Sequence, residues 1–118
     1  MSAVSTHVLD TALGVPAAGV GVVLQRSDAD GYREIGQAVT DGDGRAADLG
    51  PGRIGPGTYR LVFDTGAYFA GQASAGTDLG RPCYFPEVVV TFRVEDSSSH
   101  HHTPLLLSPF GYTTYRGS

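Results

Sequence analysis

The sequence predicts an all-β protein, a sandwich of two sheets made from seven or eight short strands and one short helix. The 17 glycines and seven prolines among its 118 residues are spread along the chain, which favours turns over long helices. Several segments alternate apolar and polar residues with a period of two, as half-buried antiparallel strands do. Turn-forming sequences separate these segments at the short intervals that are typical of a sandwich.

Three strands are predicted in the first half of the chain. They span Ser5 to Asp10, Val20 to Leu24 and Tyr32 to Thr40. In the second of these, Val20, Val22 and Leu24 share one face. Gly14-Val15-Pro16 is predicted to separate the first two strands, and the two Asp-Gly pairs of Asp41 to Arg45 predict a tight reversal after the third.

The rest of the chain adds five strands and the helix. Tyr59, Leu61 and Phe63 alternate with Arg60, Val62 and Asp64. Val88, Val90, Phe92 and Val94 share one face of a second strand, and Thr91, Arg93 and Glu95 lie on the other. Period-two alternation is absent from Thr65 to Ala75, where a short helix is predicted. Weaker segments complete the prediction, and Gly50 to Gly57 is predicted to be a rigid loop. The weaker strands are His101 to Leu107, Thr113 to Gly117 and a short one near Arg53.

Composition limits the possible functions. A chain of this length is expected to form one domain over residues 1–118. The net charge of -4 without a basic patch argues against nucleic-acid binding. No apolar run approaches the 18 or so residues of a membrane span, and no secretory signal is visible at Met1 to Thr6. Cys83 is the only cysteine, so neither an intrachain disulfide nor a thiolate zinc site is expected, and the cytoplasm is the default compartment.

The histidines are the first candidates for chemistry. The chain has four, His7 and the consecutive His100, His101 and His102. In a strand, His100 and His102 would point one way and His101 the other. Three interpretations stay open on these residues alone: a solvated strand start, a metal site that would need a third ligand from His7 or an acid, and acid–base catalysis near neutral pH.

Arg45 and the C-terminus are further candidates. Arg45 follows the Asp-Gly turn, where it is either an exposed arginine beside Asp43 or an anchor for an anion or a carbonyl group. The last residues, Tyr115 to Ser118, directly follow an alternating stretch. Most termini fray, but this one keeps Tyr112 and Tyr115 and has strand character almost to its last residue, so it is expected to be fixed and used.

Three familiar motifs do not apply. Gly50, Gly52 and Gly55 match GxGxxG, but two prolines interrupt the match and no helix pattern follows. Asp41 and Asp43 match the first ligand positions of a calcium loop. The match fails further on, because Arg45 and a glycine stand at later positions that need ligand side chains. A G-x-S-x-G nucleophile motif is absent from the sequence.

Taken together and in order, the motifs resemble those of the 5-hydroxyisourate hydrolase family, the transthyretin-related enzymes of urate breakdown. The resemblance covers nearly the whole chain. The matching segments are Thr6-His7-Val8-Leu9-Asp10-Thr11, Gly14-Val15-Pro16-Ala17, Thr40-Asp41-Gly42-Asp43-Gly44-Arg45, Gly57 to Thr65 with Tyr68-Phe69, Phe85-Pro86-Glu87, His100 to Pro109 and the terminal Tyr115-Arg116-Gly117-Ser118. At His101 the family more often has an aromatic residue such as Tyr.

The resemblance implies a transthyretin-like fold of eight strands in two four-stranded sheets, with a short helix after the fifth strand. It implies a homotetramer, a dimer of dimers, with sites at the interface between dimers. It also assigns residues. The catalytic residues would be His7, Arg45, His102 and Ser118. The substrate-binding residues would be His7, Arg45, His100, Tyr115, Arg116 and Ser118.

The implied activity is hydrolytic opening of the six-membered ring of 5-hydroxyisourate, giving 2-oxo-4-hydroxy-4-carboxy-5-ureidoimidazoline. Arg45 would stabilise the carbonyl oxygen, and His102 would act as the base. This cyclic amide hydrolase would need neither metal nor other cofactor. The alternatives are a non-enzymatic transthyretin-like protein that binds small ligands, and a structural interaction domain, because fold alone does not decide function. True transthyretins share the fold without this set of His, Arg and terminal residues.

Overall fold

The computed structural model describes residues 2–71 and 82–118. Ten strand segments and one helix follow one another along the chain. They are β1 (Val4–Asp10), β2 (Val15–Pro16), β3 (Gly21–Asp28), β4 (Gly31–Val39), β5 (Arg45–Ala46), β6 (Gly57–Phe63), α1 (Thr65–Gly71), β7 (Val88–Val94), β8 (His101–His102), β9 (Leu105–Ser108) and β10 (Gly111–Thr114). The prediction of an all-β protein with one short helix is confirmed.

The strands form two sheets. One has the antiparallel order β4-β3-β6-β7, and the other has the order β10-β9-β1-β2, with β5 and β8 also paired to β1. The second sheet therefore holds six segments rather than the four that the resemblance implies, and the helix follows the sixth strand. The difference comes from β2, β5 and β8, which have two residues each and all pair with β1.

The core lies between the sheets and uses the faces that the alternation predicts. Tyr59, Leu61 and Phe63 are fully buried, as are Val20 and Leu24. The other buried apolar side chains include Val4, Val8, Val22, Leu49, Phe69, Val88, Val94, Leu105 and Leu107. Removal of this apolar surface from water is the main favourable contribution to folding.

Several predicted strand boundaries are wrong, and each has a local cause. The predicted strand from His101 to Leu107 is two strands, interrupted at Thr103-Pro104, since proline has no N–H to donate to a ladder. The expected strand near Arg53 is a loop between Pro51 and Pro56.

Two further boundaries differ near the chain ends. Val15–Pro16, expected to lie in a turn, pairs with Leu9 and Asp10. The last strand ends at Thr114 rather than Gly117, which keeps one isolated bridge to His102. The predicted helix ends at Gly71, and the remainder of that prediction, 72–75, lies outside the described residues.

A buried carboxylate joins α1 to β1. The Tyr68 hydroxyl donates to Asp10 Oδ2 at 2.7 Å, and the amides of Ala12 and Leu13 donate to Oδ1 at 3.1 and 3.0 Å. Asp10 has no exposed surface. A buried acceptor that loses a donor carries an uncompensated desolvation cost, so this contact stabilises the helix against the sheet that carries the candidate site.

Replacing Tyr68 by Phe is therefore expected to lower the free energy of unfolding by about 1–3 kcal/mol. Urea denaturation at one fixed protein concentration measures the change, because association also affects apparent stability. Tyr84→Phe is the control, since Tyr84 is 71% exposed. Equal stability of Tyr68→Phe and the wild type would show that this hydrogen bond contributes nothing.

Candidate active site

Strand β1 brings the candidate residues together, because short segments pair with it on both sides. His7 lies opposite Arg45 in the antiparallel β1–β5 pair. Ser5 lies opposite His102 in the parallel β1–β8 pair. Side chains two residues apart on a strand point to the same face. Ser5 and His7 therefore share one face of the sheet with Arg45 and His102, the residues paired with them.

The turn before β5 fixes the position of Arg45. Asp41 Oδ1 accepts hydrogen bonds from the amides of Asp43 and Arg45 at 2.9 and 3.0 Å. The Arg45 amide is the main cause that lowers the pKa of Asp41 below its usual value. Gly44 has a φ of 77°, a conformation that glycine adopts without strain, and a Cβ there would lie 2.4 Å from the Val8 carbonyl oxygen. The Asp-Gly turn predicted from the sequence therefore has a defined task, which is to place Arg45 beside β1.

His7 is bonded to the same turn. Its Nε2 lies 2.9 Å from the carbonyl oxygen of Asp43. A carbonyl oxygen only accepts hydrogen bonds, so Nε2 carries a proton and is the donor. This contact ties the His7 ring to the segment that carries Arg45.

The three consecutive histidines alternate as predicted for a strand. His101 is buried against Phe92, with a ring separation of 6.5 Å, whereas His100 is exposed and His102 is half-buried. The loop before them is held by Asp96, whose pKa is lowered to about 2 by hydrogen bonds from Ser98 and Ser99. Because His101 is buried against Phe92 while His100 and His102 are more exposed, His101 faces away from the other two rings, as the sequence predicts.

The candidate residues meet at a small cleft, here called the site cleft. Its volume is about 210 Å³ and its lining residues are Ser5, Thr6, Arg45, Ala47, His100, His102 and Ser118. Four of the residues singled out from the sequence thus surround one space. His7 is not a lining residue, yet its charge is one of the causes that lower the pKa of His102.

Tyr115 and Arg116 lie beside this cleft rather than in it. With Ser99, His100, Gly117 and Ser118 they border a shallow groove of about 630 Å³. His100 and Ser118 belong to both spaces. A substrate bound in the site cleft would therefore reach Tyr115 and Arg116 only by extending past these two residues.

His102 is suited to be neutral at pH 7. Its pKa is lowered from 6.5, first by burial and then by the charges of His100, His7 and Arg45. Its Nδ1 lies 2.8 Å from the Ser5 hydroxyl oxygen. The other ring nitrogen, Nε2, is then available for catalysis. In a neutral ring this nitrogen can accept a proton.

Two contact residues were missed by the sequence analysis. Ser5 bonds both His100 and His102, whereas the sequence predicts it only as the start of a strand. Gly117 donates its amide to the His102 carbonyl at 2.8 Å, and a Cβ on it would lie 2.6 Å from Cδ2 of the His102 ring. The only available signal for Gly117 was its place in the terminal Tyr-Arg-Gly-Ser motif.

Replacing Gly117 by Ala is expected to displace the His102 ring and to lower kcat by about 10–100-fold, because small shifts of a reacting group have effects of this order. Steady-state kinetics of the activity proposed below measure the loss. Gly111→Ala is the matched control, since a Cβ there meets only the Ser108 hydroxyl, at 3.8 Å. Equal kcat values for the two variants would mean that the ring does not need this glycine.

Within 2–71 and 82–118, no group of three His, Cys, Asp or Glu side chains is placed to hold a metal ion. In the same ranges no helix is long and apolar enough to cross a membrane. A groove of about 650 Å³ on the other sheet, around Val23, Val39 and Val62, contains none of the predicted site residues.

Known proteins resemble this chain along nearly its whole length. A 5-hydroxyisourate hydrolase of Caulobacter vibrioides is 42% identical over 118 residues, which is 100% of both chains. "5-hydroxyisourate hydrolase 2" of Rhizobium meliloti is 48% identical, covering 97% of this chain and 94% of its own length.

Solved structures give a similar result. The 5-hydroxyisourate hydrolase of Klebsiella pneumoniae is 36% identical with a TM-score of 0.79 and covers 98% of each chain. A transthyretin from Sparus aurata is 30% identical with a TM-score of 0.85, covering 99% of this chain and 97% of its own. The family model described as "HIUase/Transthyretin family" matches residues 4–117. By sequence and by fold, this chain belongs to the HIUase/Transthyretin family.

Proposed function

We propose that this protein is a 5-hydroxyisourate hydrolase of urate breakdown. The observation that carries the proposal is the meeting of Arg45, His100, His102 and Ser118 at one cleft. The hydrolase names of the Caulobacter and Rhizobium relatives support it. Transthyretin shares the fold, but fold alone does not distinguish a carrier from an enzyme. The cleft residues favour an enzyme, since a carrier needs no base beside a guanidinium.

In the proposed reaction, water attacks an amide carbonyl of the six-membered ring. The carbon–nitrogen bond of that amide breaks, one water proton ends on the leaving nitrogen, and the new carboxyl group appears in 2-oxo-4-hydroxy-4-carboxy-5-ureidoimidazoline. Negative charge develops on the carbonyl oxygen during the attack. A fixed positive group beside that oxygen stabilises the transition state more than the ground state.

Arg45 and His102 have the main roles in this scheme. The planar guanidinium of Arg45 would bind the carbonyl oxygen. Nε2 of His102 would accept the water proton, directly or through an aligned second water, because burial and three neighbouring charges hold the pKa of His102 below 6.5. Among these charges Arg45 has the smallest effect, and its guanidinium would act in the same step as the His102 base.

His7, Ser118 and the residues of the neighbouring groove would bind and orient the substrate. The His7 ring, which is tied to the Arg45 turn through the Asp43 carbonyl, would orient water or protonate the leaving nitrogen. The Ser118 hydroxyl would fix water or substrate from the C-terminal side of the cleft. His100, Tyr115 and Arg116 would contact the part of the substrate that reaches the groove.

The scheme predicts an acid limb in the pH dependence of kcat/KM. Since the pKa of His102 is lowered from 6.5, the ring is neutral and active at pH 7. Activity is expected to be highest at the pH values where the His102 ring is neutral and to fall as the pH drops through its lowered pKa. A pH series of kcat/KM on the wild type measures this. Activity that increases on acidification would contradict the assignment of His102 as a base.

The active form is proposed to be a homotetramer, a dimer of dimers. β10 is an edge strand of its sheet, and an edge strand can pair with its copy across a two-fold axis. The site cleft, at about 210 Å³, is smaller than the roughly 300–1,000 Å³ of most small-molecule sites, which supports a site completed by a second dimer. Sedimentation equilibrium tests this, with a mass of four 12.3 kDa chains expected.

The proposed enzyme needs no metal, since Arg45 supplies the charge that a Lewis acid would otherwise give. The proposed compartment is the cytoplasm, which suits a chain with a single cysteine, Cys83. A chelator should leave the activity unchanged. Loss of activity on chelation, restored by zinc, would overturn the metal-free mechanism.

Ultraviolet absorbance of freshly generated 5-hydroxyisourate, followed with and without the protein, tests the function directly. The decay should be faster with the protein and proportional to its concentration. An unchanged decay together with tight binding of an aromatic ligand would instead favour the transthyretin-like carrier, and neither activity nor binding would favour a structural domain.

A further inference from the structure

One hydroxyl group bridges two imidazole rings at the site cleft. The Ser5 Oγ lies 2.8 Å from His102 Nδ1 and 2.8 Å from His100 Nε2. Both distances are short enough for strong hydrogen bonds. Neither the activity proposed above nor the family motif assigns a task to Ser5.

The backbone holds this hydroxyl in place. Ser5 is opposite His102 in the β1–β8 register, and its carbonyl oxygen accepts the Thr103 amide at 3.0 Å. Its side chain is 9% exposed. The hydroxyl is therefore a fixed partner for both rings rather than a mobile surface group.

A hydroxyl has a single proton to donate, so Ser5 cannot donate to both rings and must accept a hydrogen bond from at least one of them. If Ser5 donates to His102 Nδ1, the neutral His102 ring carries its proton on Nε2 and has no free lone pair there. If Ser5 donates to His100 Nε2, then His102 Nδ1–H donates to Ser5 and its Nε2 has a lone pair. Only the second arrangement gives a base at Nε2.

We propose that Ser5 is a positioning residue that selects the base-competent tautomer of His102, with His100 as the acceptor at the far end of the bridge. This inference rests on the proposed function, because it assumes that His102 Nε2 takes a proton from water. In this arrangement the Nδ1–H bond to Ser5 strengthens when His102 becomes charged, since a charged donor makes the stronger hydrogen bond. His100 is exposed, so water can satisfy its other ring nitrogen.

Nitrogen NMR of histidine-labelled protein tests the inference without substrate. In the wild type above pH 7, His102 should show a protonated Nδ1 and an unprotonated Nε2. In Ser5→Ala the Nδ1 partner is gone, and the protonated nitrogen should move to Nε2. A wild-type His102 that is protonated at Nε2 and free at Nδ1 would overturn the proposal, even if the Ser5 variant fails to fold.

Kinetics give the second readout. Ser5→Ala should lower kcat about 10–100-fold, as the loss of an orienting partner does, with little change in KM. Ser5→Thr retains a hydroxyl and should recover most of the loss. Ser108→Ala is the matched control, because that strand serine donates to the Gly111 carbonyl at 3.1 Å and does not line the site cleft.

The outcomes separate the two proposals. In one outcome the wild type does not hydrolyse 5-hydroxyisourate, yet His102 has the expected tautomer and Ser5→Ala inverts it. That outcome would reject the proposed function and support the role of Ser5 in selecting the tautomer. An active wild type in which Ser5→Ala alters neither tautomer nor kcat would keep the function and reject the role of Ser5.

Discussion

Replacing His102 by Asn is expected to lower kcat by about 10²–10⁴-fold, the usual loss when a general base is removed. Asparagine is polar and can still bond Ser5, which lies 2.8 Å from Nδ1 of the native ring. It cannot accept a proton at neutral pH, so the loss should appear in kcat. Stopped-flow ultraviolet absorbance on fresh 5-hydroxyisourate measures both kinetic constants.

The pH profile of this variant provides a specific check. The acid limb of the wild-type profile is assigned to His102, whose pKa is lowered mainly by burial, so the limb should disappear in His102→Asn. A thermal melt of the variant controls for misfolding. A folded variant with turnover within about threefold of the wild type would remove His102 from the mechanism, since a lost base costs at least about 10²-fold.

The sequence was sufficient for the core because burial repeats locally. Tyr59, Leu61 and Phe63 are buried while Arg60 and Val62 between them are partly exposed, and this period of two is visible without any knowledge of the partner strands. The two-residue strands are not visible in this way. Val15–Pro16 and Arg45–Ala46 are strands only because β1 pairs with them, and pairing between distant segments has no local pattern.

In the candidate site too, some residues can be found from the sequence and others depend on contacts between distant segments. The resemblance identified Arg45, His102 and Ser118, because each belongs to a motif that can be matched in sequence order. Ser5 bonds the His102 ring and Gly117 lies close against it, and both contacts depend on the register of β1 against β8 and on the path of the last residues. Register follows from the assembled sheet, so these two contacts could be found only in the structure.

Replacing Arg45 by Gln is expected to lower kcat by about 10²–10³-fold, as the loss of one group that stabilises an oxyanion does. The turn should survive, because Asp41 binds the backbone amide of Arg45 rather than its side chain. Arg45→Lys should recover only part of the loss, since an ammonium group has the charge but not the planar pair of donors. The same absorbance assay measures both variants.

Arg33→Gln is the matched control, because Arg33 is an exposed arginine on β4 of the other sheet. A further consequence separates a role at the cleft from a general loss of charge. Arg45 is one of the charges that lower the pKa of His102, so removing it should move the acid limb of kcat/KM to higher pH, whereas Arg33→Gln should leave the limb in place. If both arginine variants left the limb unmoved and kcat intact, Arg45 would be too far from His102 to take part in the same step.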